Sequence, residues 1–82
     1  MKKGAQRHDL GCPATYEIKV QGWLDESWSD WFDGMDVVPE VTAESTTITR
    51  LIGTVVDQAA LLGLLRRLHN LHLRLLSVNR IE

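Results

Sequence analysis

Eighty-two residues, 44% hydrophobic and 24% charged, suit one small soluble domain near the lower size limit for a self-sufficient core. A net charge of −2 and a pI near 5.9 exclude a general attraction to nucleic acid or anionic membrane. Cys12 is the sole cysteine, which excludes an internal disulfide and a cysteine-based zinc site.

Charge is unevenly placed. Asp25, Glu26, Asp30, Asp33, Asp36, Glu40 and Glu44 fall in a stretch without Lys or Arg, whereas Arg50, Arg66, Arg67, Arg74 and Arg80 share theirs with one acid, Asp57. The charge distribution is dipolar. The first residues are basic but lack the apolar run of a signal peptide. No stretch approaches the roughly 18 apolar residues of a membrane span. Cytoplasmic location is the expectation, with neither membrane nor nucleic acid as partner.

In chain order, residues 1–13 are polar, with two glycines and a proline, and read as a flexible tail. Residues 14–82 form the expected single α+β domain. From Ala14 to Gly22 the chain alternates: Tyr16, Ile18 and Val20 point one way, Glu17, Lys19 and Gln21 the other. That is a strand with one wet face, in a sheet covered on one side only.

Leu24, Trp28, Trp31 and Phe32 then recur at i, i+4, i+7 and i+8, the buried stripe of a short helix. Asp25 is its N-cap, Glu26 suits its first turn, and Gly34 is its stop. On this spacing Trp28 and Trp31 belong to the core, and Trp23 lies off the stripe and outward.

Met35 to Val41 is β-prone but carries Pro39, which cannot donate to a ladder, so it reads as an edge strand. Thr46 to Val55 is the richest β-branched run. Either Thr49, Leu51 and Val55 face inward or Ile48 and Ile52 do. The first phase is preferred and leaves Ile48 and Ile52 beside Arg50 on the open face, an apolar patch of the kind that marks interfaces.

A long helix follows. Asp57 is its N-cap, and Leu61, Leu64, Leu65, Leu68 and Leu71 form its stripe. Asn70 or His72 ends it, because Asn and His tolerate positive φ better than most residues. Leu73 to Arg80 is the last strand, with Leu76 and Val78 toward the core.

Strand, short helix, strand, strand, long helix, strand is the ferredoxin-like split β-α-β order, βαββαβ. Right-handed crossovers put one short and one long helix on one face of a four-stranded antiparallel sheet. The first and third strands are then central.

Two stretches carry a resemblance: W-S-D-W-F-D-G at residues 28–34, and D-Q-A-A-L-L-G-L-L at residues 57–65, continued by L-L-S-V at residues 75–78. Together they resemble a family of small uncharacterised bacterial and archaeal proteins, over nearly all of the chain after Pro13. Members of that family often have Gly where this chain has His72. The resemblance implies the element boundaries and no activity.

No residue constellation specifies chemistry. His69 and His72 sit i, i+3, but the further ligands of a metal site are missing nearby. The acidic run lacks the D-x-D-x-D-G pattern of a calcium loop and reads as a solvated face that could dock on a basic protein. Asp57 caps the long helix and disfavours an anion there. No Gly-rich loop is present, and no serine lies in a nucleophile elbow. The first strand shows Glu17 and Lys19 outward with no aromatic, unlike an RNA-binding sheet.

No catalytic residue, cofactor or metal ligand is therefore expected. The preferred reading is a non-enzymatic interaction or regulatory module, self-associating or binding a protein partner through an open sheet face or edge. The alternative is a small-molecule-binding domain or small enzyme with a pocket near the Trp-rich helix. Trp23, Ile48, Arg50, Ile52, Arg66 and His69 are the candidate ligand or interface residues.

Overall fold

The computed structural model describes residues 13–81. All of the expected tail but Pro13, including Cys12, lies outside that range. The elements are β1 (Ala14–Gln21), a 3₁₀ helix (Glu26–Phe32), β2 (Asp36–Val41), β3 (Thr47–Val55), α1 (Gln58–Asn70) and β4 (Arg74–Arg80). The four strands form one antiparallel sheet in the order β2-β3-β1-β4. The first and third strands are central and the proline-bearing strand is an edge.

Register sets the faces. Ile18 pairs with Leu51 and Val20 with Thr49 across β1 and β3, and Val37 pairs with Leu51 across β2 and β3. These residues are buried. Helix residues Leu24, Phe32, Leu61, Leu64 and Leu68 complete the same core cluster. Both helices therefore lie over one face of the sheet. Each fully buried Leu, Ile, Val or Phe contributes about 1.5–3 kcal/mol before ordering costs, so one layer of such residues holds the sheet and helices together.

The inward phase of β3 is Thr49, Leu51 and Val55. Gly53 shares that face and sits against Met35. A Cβ there would lie 2.9 Å from Met35 Cγ and 3.2 Å from Met35 Cα. The missing side chain lets the start of β2 close onto β3.

The short helix departs from the expected α-helical stripe. At three residues per turn, positions i and i+3 eclipse. Ser29 and Phe32 therefore share the inward side: Phe32 is fully buried and Ser29 Oγ donates to the Met35 carbonyl at 2.7 Å. Trp28 and Trp31 are rotated onto the neighbouring side, where they meet edge to face with centroids 5.6 Å apart. Trp31 is 46% exposed and is not a core residue, contrary to the stripe; Trp28 is half-buried. Asp25 is the N-cap, and its carboxylate accepts the Ser27 N–H. The left-handed residue that stops the helix is Asp33 (φ 59°), with Gly34 (φ 80°) behind it.

In α1 the Asp57 carboxylate accepts the Ala60 N–H at 2.8 Å. Leu61, Leu64 and Leu68 are buried, while Leu65 and Leu71 pack partly against the core. The helix ends in a Schellman arrangement. Leu73 N–H reaches back to the Leu68 carbonyl and His72 N–H to the His69 carbonyl, with His72 left-handed at φ 62°.

In β4, Leu76 is not in the core as its position in the sequence suggested. The ladder with β1 shifts between Lys19 and Val20, so Lys19 pairs with Ser77 and Val20 with Leu75. Leu76 is the extra residue of that bulge and is exposed, while Val78 stays inward opposite Ile18.

The His72 side chain is exposed, so replacing it removes no core contact. His72→Gly relieves the left-handed strain at some cost in unfolded-chain entropy, and a net gain of about 0.5–1 kcal/mol is expected. At this size that raises Tm by roughly 2–8 °C. An unchanged or lower Tm in a thermal melt would contradict the strained stop.

Candidate functional site

The face of the sheet away from the helices takes no part in the core. Arg50 lies at its middle, because β3 is central and residue 50 has the outward phase. Its Nη2 donates to Glu17 Oε2 on β1 at 2.9 Å, its Nε to the same oxygen at 3.1 Å, and its Nη1 to Glu40 Oε2 on β2 at 3.0 Å. Glu17 pairs with Ile52 and Glu40 with Ile48, so Arg50 reaches both acids diagonally across three strands. The hydrogen bonds to Glu40 first, and then to Glu17, push the guanidinium pKa above its ordinary value. Arg50 is thus held charged and paired, and its solvent exposure keeps the ladder from contributing much to stability.

Ile48 and Ile52 flank this ladder and are half-buried, and Val38 is exposed beside it on β2. The open face is therefore a charged rib with aliphatic margins. Two of its carboxylates, Glu17 and Glu40, are bound to one guanidinium.

The other candidates lie elsewhere. Arg66 and His69 are exposed on α1, on the opposite side of the molecule from the open face, and Trp23, 58% exposed, lies in the connection after β1. The structure brings Ile48, Arg50 and Ile52 together on the open face, while Trp23 lies in the connection after β1 and Arg66 and His69 lie on α1. Among the described residues no group of three or more His, Cys, Asp or Glu is placed to hold a metal ion. No helix among them is long and apolar enough to cross a membrane.

Three features had no signal in the sequence spacing. Arg67 donates to the Trp31 carbonyl at 3.0 Å and lies 3.6 Å from the Asp33 carboxylate, clasping α1 to the 3₁₀ helix. A cleft of about 230 Å³ is lined by Asp33, Met35, Thr54, Val55, Val56, Ala60 and Leu64. None of the three tryptophans lines it, and it is smaller than the roughly 300–1,000 Å³ of sites that enclose drug-sized ligands. The third is the outer edge of β4, where Leu75 and Leu76 are exposed beside Ser77, whose Oγ is buried without a hydrogen-bond partner. Alternating hydrophobicity could not reveal this edge, because the bulge breaks the alternation.

Comparison with known proteins adds a family and no activity. A family model described as Domain of unknown function (DUF8691) matches residues 15–79, and the chain belongs to that family. No curated protein and no solved structure matches it.

The tryptophan positions are open to a direct check. Acrylamide quenching of Trp→Phe variants should leave Trp23→Phe with less quenchable emission than the wild type and Trp28→Phe with more. The reverse order would contradict the 3₁₀ winding that puts Trp28 deeper than its neighbours.

Proposed function

We propose that this member of the family is a non-enzymatic interaction or regulatory module that self-associates through its sheet. Its frame is the ferredoxin-like split β-α-β, a reading supported by β1 and β3 lying between β2 and β4 and by both helices lying over one face. It works in the cytoplasm, in keeping with a single cysteine that can form no internal disulfide.

One observation carries the proposal. Among the described residues no strand pairs with the outer edge of β4, which is bordered by the exposed side chains of Leu75, Leu76 and Ile81. An uncovered edge strand is a template for another strand, and proteins that stay monomeric blunt it with proline, charge or a covering loop. A core this small also gains from association, since a domain of this size buries a modest fraction of its surface alone.

The competing reading is a small-molecule site. The cleft between the 3₁₀ helix end and α1 favours it, with Thr54 and Asp33 as polar groups on apolar walls. Its small volume and its distance in the lining from every tryptophan weigh against it.

Sedimentation equilibrium of the full chain decides the main reading. A reversible dimer at micromolar to sub-millimolar concentration is expected. A single monomeric species up to the solubility limit would contradict it.

A further inference from the structure

We propose that the partner is a second copy of this chain, and that β4 pairs antiparallel with β4 of that copy about a two-fold axis at Val78. The two four-stranded sheets become one sheet of eight strands. The inference rests on the self-association reading above and specifies its surface.

The backbone phase of β4 comes first. Ile81 N–H donates to the Thr15 carbonyl at 2.8 Å, and Tyr16 pairs with Arg80 and Ile18 with Val78. Residues of an antiparallel ladder alternate in the side to which they turn their N–H and C=O. Ile81, Asn79 and Ser77 therefore direct theirs toward β1. Val78 directs its own away from the sheet, where a further strand would bind.

The two edges differ in what they offer. β2 is six residues long, carries Pro39 and has Asp36 and Glu40 within it. It lacks one N–H, and two copies of it would repel. β4 has no proline and no acid, and five uncharged residues, Leu75 to Asn79, lie between Arg74 and Arg80.

The register follows from the side chains. An axis at Val78 sets Val78 against its own copy, Ser77 against the partner subunit's Asn79, and Leu76 against the partner subunit's Arg80. The Ser77 hydroxyl, buried and unpartnered in the single chain, then faces a carboxamide able to donate or accept. The two Arg80 residues stand four positions apart along the ladder. At about 3.3 Å per residue that is roughly 13 Å, beyond the ~8 Å screening length at physiological salt. An axis at Ser77 would instead oppose Arg74 to Arg80 of the other copy. The bulge at Leu75 and Leu76 ends the ladder, and the two-fold closes it, so the arrangement yields a dimer and no fibre.

The test uses sedimentation equilibrium with two sets of variants. Val78→Pro deletes an N–H that points away from β1, so the fold survives as proline does on a solvent-facing edge, and dimerisation is lost. Circular dichroism checks that fold. In a Cys12→Ser background, Ser77→Cys with Asn79→Cys should form a disulfide-linked dimer on mild oxidation, while Thr54→Cys on the open face of β3 should not. If Val78→Pro fails to fold, this cross-linking result stands alone. A folded Val78→Pro protein that dimerises as the wild type does, or a Ser77/Asn79 variant that does not cross-link preferentially, would overturn the β4 pairing and leave self-association through another surface. A wild-type chain that is monomeric throughout would overturn both.

Discussion

The fold depends on one buried hydroxyl. Thr49 is fully buried on the inward side of β3; its Oγ1 accepts the Leu24 N–H at 3.0 Å and donates to the Gly22 carbonyl at 2.6 Å. The chain leaves β1 at this point and must turn beneath the sheet within a few residues. Gly22 takes φ 136°, and a Cβ there would lie 2.5 Å from Leu73 Cδ2. Each buried polar group left unpaired would cost about 1–3 kcal/mol. Satisfying two backbone groups with one side chain keeps the turn tight and drives Leu24 into the core.

The path of the 3₁₀ helix over the covered face follows from that turn. Leu24 anchors the start of the 3₁₀ helix, the tight winding delivers Phe32 to the core, and Met35 then closes over Gly53. A 3₁₀ helix rises about 2.0 Å per residue against about 1.5 Å for an α-helix, so it spans more of the short stretch between Leu24 and Met35 with the same residues. Its tryptophans become a sidewall in place of a floor. Both helices lie on one face, and among the described residues nothing covers the other face, whose middle is occupied by Arg50 with its two acids.

Much of this was legible in local patterns. Period-two alternation located β1, the leucine stripe located α1, Pro39 located an edge, Asp57 marked the start of the long helix, and Asn70 and His72 bracketed its end. Those features are decided by neighbours in the chain. The winding of the short helix was not legible, because Leu24, Trp28, Trp31 and Phe32 fit an α-helical stripe and only the tertiary demand at Met35 selects the tighter form. Nor was the bulge: L-R-L-L-S-V reads as one continuous strand, and the extra residue at Leu76 depends on pairing with Val20. The Asp33–Arg67 clasp joins residues from separate elements, and no spacing announces it. Trp23, Arg66 and His69 were singled out as outward residues, and none of them joins Ile48, Arg50 and Ile52 on the open face.

The role of Thr49 is tested most directly by amide hydrogen exchange at Leu24. The Leu24 N–H is predicted to exchange as slowly as the central amides of β1 and β3, and to lose that protection in Thr49→Val while the sheet amides keep theirs. A Leu24 amide that exchanges in the wild type as fast as the turn at Ser45, or that stays protected in Thr49→Val, would contradict the account.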